Sequence, residues 1–148
     1  MTLNGYKDRA TTHAREVVSG KVVAGRLHYL ACERQLKDLE RSLNNDPTFP
    51  YEWRPELSEN IIDYAETLTI AEGTEPKPLT LYECQAFDLG VPFGWVHKET
   101  GYRRFRRSYK SMARQNGKTF QNGITGSYVA GFSGYQYGKL FTVATKKR

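Results

Sequence analysis

Ser111-Met112-Ala113-Arg114-Gln115-Asn116-Gly117-Lys118-Thr119 is the stretch on which the reading of the fold turns. It ends in Gly-Lys-Thr and follows a segment, Arg103 to Met112, that reads as a strand. Those parts suit a phosphate-binding loop. The glycine lets the backbone turn its N–H groups inward, the lysine reaches the outer phosphates, and the threonine hydroxyl ligates Mg²⁺. A helix is predicted next, from Lys118 to Gly131, and its positive end would face the same phosphates. Met112 stands where the standard pattern has its first loop glycine.

Downstream, Gly123 and Gly126 make that helix poor by propensity, each costing about 1 kcal/mol against alanine. Phe120, Ile124 and Tyr128 are nevertheless spaced to form a buried face. Leu140 to Ala144 reads as a further strand, so strand, loop, helix and strand predict a βαβ-like unit with a right-handed crossover. Upstream, Thr80 to Leu89 reads as a short helix with Leu81, Cys84 and Phe87 inside, broken by Gly90-Val91-Pro92-Phe93-Gly94-Trp95. Gly73-Thr74-Glu75-Pro76-Lys77-Pro78 is the clearest linker and places a boundary between residues 1–75 and 79–148. Before it, Arg9 to Val18, Lys21 to Leu43, and a segment capped by Ser58 and running to Ala71 read as helices. Leu27, Leu30, Leu36, Leu39 and Leu43 form an apolar stripe expected to be core.

The net charge of +6 hides a division. Residues 1–99 carry 11 basic and 16 acidic side chains, whereas residues 100–148 carry 11 basic and none acidic. So long a run without a carboxylate suggests a surface that meets phosphate, of a nucleotide or of nucleic acid, and composition does not separate the two. No apolar run approaches the roughly 20 residues that a membrane helix needs, and the chain opens without an apolar signal core. Cys32 and Cys84 show no metal-like spacing, so neither a disulfide framework nor a zinc site is expected. His13, His28 and His97 are expected to form no ligand pair.

The residues around the loop carry a resemblance. Ala113-Arg114-Gln115-Asn116-Gly117-Lys118-Thr119 resembles the variant Walker A loop of tailed-bacteriophage terminase large subunits, the ATPases that drive DNA into a capsid. Such loops read small residue, Arg, Gln or Lys, any residue, Gly, Lys, Thr or Ser, a pattern that accommodates Met112. Gly101-Tyr102-Arg103-Arg104-Phe105-Arg106 resembles the lead-in of the same group, and Leu79 to Phe87 the segment bearing its adenine-recognising glutamine, here Gln85. Val18 to Gly25 and Ala31 to Glu40 fit its N-terminal stretch.

The resemblance implies an α/β fold: a helical N-terminal subdomain, then the start of a P-loop ATPase core of the additional-strand type. It implies ATP and Mg²⁺ as cofactors. The nucleotide would be bound by Gln85, Ala113, Arg114, Gln115, Asn116, Gly117, Lys118 and Thr119, with Thr119 on the metal. Arg114, whose planar fork suits phosphate better than lysine, would contact phosphate or couple the loop to its neighbours. Tyr82, Phe87 or Tyr109 would be available to stack on a base. The implied partners are double-stranded phage DNA, a small terminase subunit and the portal protein, in the cytoplasm of a bacterial host and away from membranes. Related ATPases hold Mg²⁺ and activate water with carboxylates from later strands, yet no Asp or Glu follows Glu99 here. The expectation is therefore a nucleotide-binding half-site without a complete catalytic set, cut after the second core strand. Its open sheet edges would need a second polypeptide or self-association to cover them. The alternative is a non-catalytic, terminase-derived binding or regulatory module acting on portal, terminase or a sensing protein.

Overall fold

Asp8 starts the first helix, α1 (Arg9–Val18), by accepting the Thr11 N–H on its carboxylate at 2.9 Å. Its second oxygen accepts the Trp53 indole N–H at 2.9 Å, so one cap also anchors a later element. The computed structural model describes residues 7–70, 75, 77–113, 117–134, 139–141 and 143. Within these follow α2 (Arg26–Leu43), β1 (Tyr51–Trp53), α3 (Pro55–Thr67), β2 (Thr69–Ile70), β3 (Lys77–Pro78), α4 (Glu83–Gly94), β4 (Trp95–His97) and α5 (Lys118–Phe132). The chain is thus mixed helix and small sheet, in keeping with the α/β expectation. It divides into two units, residues 1–110 and 111–148.

In the first unit α4 packs against both α1 and α3, and α1 against α2. That packing joins helices from either side of the predicted linker. Arg9 ties three of the helices together. Its guanidinium reaches Glu66 of α3 and Glu83 of α4, each at 2.8 Å, and the Leu81 carbonyl at 3.1 Å. Two antiparallel pairs complete the unit: β1 with β4, in the register Tyr51↔His97, Glu52↔Val96 and Trp53↔Trp95, and β2 with β3.

Several boundaries differ from the sequence reading. The second helix begins at Arg26, because Gly20 takes a left-handed conformation (φ 81°) that closes α1 and turns the chain. Pro55, preorganised for a first helical turn, starts α3 ahead of Ser58. Ser58 is instead fully buried beneath Gly90, where a Cβ would lie 2.3 Å from the Ser58 hydroxyl oxygen. The break predicted at Gly90 does not occur. Gly90 and Gly94 are packing positions, the latter against the Trp53 ring at 2.4 Å from a would-be Cβ. Burial of Phe87, Leu89, Val91 and Phe93 carries α4 past Pro92.

The leucine stripe of α2 is only partly core. Leu39 is buried, but Leu27, Leu30 and Leu43 are exposed. The buried face is Cys32, Gln35, Asp38 and Leu39. Gln35 accepts the buried Trp95 indole N–H at 2.7 Å, and Asp38 accepts Arg104 at 2.6 Å, so polar partners inside the unit select that face over the leucines.

The strand predicted over Arg103 to Met112 is not formed. Arg103 makes one antiparallel bridge to Val96, and no ladder follows through Ala113. Arg103, Arg104, Arg106, Arg107 and Lys110 leave little apolar surface for a sheet face, and no described strand lies alongside as a partner. Lys139–Phe141 and Val143 form no strand either, while Thr142 and Ala144 lie outside the described residues. A βαβ unit is therefore absent among the described residues.

Candidate functional site

Gly117 takes the left-handed conformation (φ 79°) that a glycine adopts without strain, and α5 begins at the next residue. The Gly117 carbonyl accepts the Gln121 N–H at 2.9 Å, the first bond of the helix. Lys118 donates from Nζ to the Met112 carbonyl at 3.0 Å. Lys118 and Thr119 are both exposed. The helix start has no side-chain cap and no acidic residue in its first turn. Its orphan N–H groups and the Lys118 ammonium thus present positive charge with no carboxylate competing for it.

Of the expected nucleotide-binding residues, Gly117, Lys118 and Thr119 are brought together at this helix start. Ala113 is exposed just ahead of it, and Arg114, Gln115 and Asn116 lie outside the described residues. Gln85 belongs to the first unit. Its side-chain carbonyl accepts the Tyr82 N–H at 3.0 Å and so caps α4, while its amide group remains a donor. Among the aromatics, Phe87 is core, whereas Tyr82 and Tyr109 are exposed.

In α5 the expected buried face is reduced to Ile124, with Phe120 and Tyr128 half-buried. Close packing explains one of its glycines: a Cβ on Gly126 would lie 3.1 Å from Leu140, but one on Gly123 would meet open space.

The lead-in to the loop has a role that sequence reasoning missed. Gly101 (φ 68°) turns the chain after β4, and the Arg104 N–H bonds the Trp95 carbonyl at 2.9 Å. The Arg104 guanidinium then enters a box of rings, 4.9 Å from Phe49, 5.0 Å from Tyr51, 5.5 Å from Trp95 and 4.9 Å from Phe105, with Asp38 as its ion-pair partner. Arg103 covers Phe93 at 4.8 Å. These arginines hold the lead-in to the first unit. Alternation of arginine with aromatics was a signal in the sequence, but only the fold shows which ring meets which cation.

Beside the lead-in, a cleft of about 280 Å³ is lined by Arg34, Phe87, Asp88, Phe105, Tyr109 and Lys110. Burial raises the Asp88 carboxyl above its ordinary range and lowers the Lys110 ammonium, with each charge partly countering the shift of the other.

Two of the three histidines lie together in the fold. His13 and His28 meet with their Nε2 atoms 2.9 Å apart, and the buried Cys32 thiol lies close by. Burial, with His28 alongside, holds His13 below its ordinary value, and burial pushes Cys32 up to about 11. His97 stands apart, its ring against Tyr51. The spacing His28-x-x-x-Cys32 places both side chains on one helical face and was the readable clue.

No helix among the described residues is long and apolar enough to cross a membrane. Residues 83–148 match the family model of the terminase large subunit, ATPase domain, which bears out the resemblance read from the loop and its lead-in. The match begins at the first residue of α4. No curated protein and no solved structure matches the chain.

Proposed function

We propose that this chain, whose residues 83–148 match the family model of the terminase large subunit ATPase domain, binds ATP phosphates through the loop ending in Gly117-Lys118-Thr119. On this reading it is the nucleotide-binding part of a motor that packages double-stranded DNA. The observation that carries the reading is the helix start at Lys118. A left-handed glycine, an exposed lysine whose ammonium reaches the Met112 carbonyl, and an uncapped first turn free of carboxylates make an anion cradle inside the segment that the family match covers.

Each residue then has a defined task. The Lys118 ammonium exchanges the Met112 carbonyl for β- and γ-phosphate oxygens. Thr119 offers its hydroxyl to Mg²⁺, which when bound neutralises phosphate charge. Ala113, Arg114, Gln115, Asn116 and Gly117 present backbone N–H groups, with the Arg114 guanidinium adding a phosphate or coupling contact. Gln85 keeps its amide to read an adenine edge while its carbonyl caps α4. Residues 1–75 serve as the helical subdomain and 79–148 as the ATPase portion. A small terminase subunit, the portal and phage DNA are the partners this reading implies.

Residues 100–148 contain no carboxylate, so this stretch positions a nucleotide but supplies neither a metal-holding acid nor a base for water. Missing general-base catalysis alone removes about 10²–10⁴ in rate. A polypeptide of these 148 residues is thus expected to bind Mg·ATP without measurable turnover, and Lys118→Ala to abolish the binding. Equal binding by both proteins would remove the assignment of the loop. Robust turnover that Lys118→Ala abolishes would instead mean that an upstream acid such as Glu83 or Glu99 completes the site.

A further inference from the structure

We propose that His13, His28 and Cys32 form a binding site for a borderline divalent cation of the Zn²⁺ class, set where α1, α2 and α4 meet. The three candidate ligand atoms lie within 4.8 Å of one another. The two Nε2 atoms are 2.9 Å apart, close to the roughly 3.3 Å that two nitrogens bound at about 2.0–2.1 Å to one tetrahedral Zn²⁺ adopt. His28 and Cys32 are one helical turn apart on α2, and His13 comes from the facing α1. Three ligands from two packed helices amount to a preorganised chelate.

The surroundings favour a cation. Glu16, Glu83 and Asp88 all act electrostatically on the His13 ring, and Asp88 also lies near enough to influence Cys32. An open hollow of about 420 Å³, bordered by His13, His28, Glu16, Glu83 and Cys84, gives an ion a route in and leaves a fourth position for water or a further ligand. Phe87 packs on both imidazoles, with centroids 5.8 Å from His13 and 5.2 Å from His28, and supplies an apolar wall on that side of the site. His13 Nδ1 is buried without a hydrogen-bond partner. A missing outer partner of that kind typically weakens metal binding by about 10–100-fold. The site is accordingly of moderate affinity.

Soft sulfur and two imidazoles select Zn²⁺ over Mg²⁺ or Ca²⁺, which take oxygen ligands. Ligation would pin α1 to α2 beside Glu83, where the family match begins, and would stabilise the folded helices by mass action. This role is separate from the loop at Lys118 and does not rest on nucleotide binding.

Co²⁺ is the probe that tests the site, because it reports thiolate ligation through a charge-transfer band and tetrahedral geometry through intense visible bands. The wild-type chain is expected to show both at one equivalent and to release Co²⁺ to added Zn²⁺. Cys32→Ser should lose the thiolate band. His28→Ala, at a half-buried position, should weaken the apparent affinity by more than about 100-fold, beyond the cost of an outer partner. Should Cys32→Ser lose its helical circular dichroism, His28→Ala decides the matter. Absence of a thiolate band in the wild type, a band that survives Cys32→Ser, or unchanged affinity in His28→Ala would overturn the proposal.

Discussion

The described residues of the first unit invest their polar groups in long-range contacts with one another, whereas those of residues 111–148 make their side-chain bonds close by along the chain and leave Lys118 and Thr119 exposed. In the first unit, Trp95 bonds Gln35, Trp53 bonds Asp8, Arg9 gathers two carboxylates and a carbonyl, and Arg104 is enclosed by four rings and Asp38. In the second, Gln121 and Ile124 are the buried residues of α5, and the Thr125 and Ser127 hydroxyls fold back onto carbonyls of their own helix. Its lysine and threonine at the helix start remain exposed. The difference teaches where the two demands on the chain are met. Stability resides in a polar-stitched helical unit, and the proposed phosphate chemistry in a helix start that buries little.

The strongest way to break this contrast is to remove the cation at the centre of the ring box. Arg104 and Asp38 have side-chain exposures of only 18% and 9%. Arg104→Ala would leave Asp38 buried without its partner and should cost about 3–5 kcal/mol in urea unfolding. Lysine should not restore it, since a point charge does not reproduce the planar stacking on the rings. A loss below 1 kcal/mol would show that the box is decorative.

Glycine substitutions sharpen the comparison, because the same change should have opposite signs in the two units. Gly94→Ala drives a methyl into the rigid Trp53 ring and should cost about 1–3 kcal/mol. Gly123→Ala meets open space in α5 and should stabilise that helix by up to about 1 kcal/mol, read as added helical circular dichroism. Matching signs at the two sites would contradict the division.

The smallest expected effect lies on the surface of the first unit. The Thr48 hydroxyl and the Arg41 guanidinium hold the Asp46 carboxyl down at about 2. A depressed carboxyl contributes its stability above the ordinary carboxylate range and loses it as pH falls through that value. Side-chain NMR should therefore show Asp46 ionised down to about pH 2, with a return toward the ordinary carboxylate range in Thr48→Val. Since the Asp46 side chain is only half-buried at the surface and its partners are exposed, the unfolding midpoint near neutral pH should barely move.

How much of this was legible in the sequence depended on whether the deciding contacts were local. The bounds of α1 follow from an Asp cap and a run of helix formers, and the start of α5 from a glycine ahead of Lys118. The continuation of α4 was not legible: Gly90, Pro92 and Gly94 read as breakers until Ser58 and Trp53 are seen to need the absence of a side chain there. The buried face of α2 was misread for the same reason. Leucine spacing pointed one way, while Trp95 and Arg104, 60 and 66 positions along the chain from their partners Gln35 and Asp38, required acceptors on another face. A strand at Arg103 to Met112 was expected from its position before the loop, but a strand exists only with a partner to bond. In the candidate site, Lys118 and Thr119 were readable from the motif, the capping use of Gln85 less so. The meeting of His13 with His28 depended on how α1 packs on α2.

The most direct measurement of this division of labour is amide hydrogen exchange with and without Mg·ATP, for the wild-type chain and for Lys118→Ala. The expected result is slower exchange at the Gly117, Lys118 and Thr119 amides in the wild type only, with α1, α2 and α3 unchanged in both proteins. Protection that appears in the first unit while the helix start is unaffected, or that persists in Lys118→Ala, would contradict it.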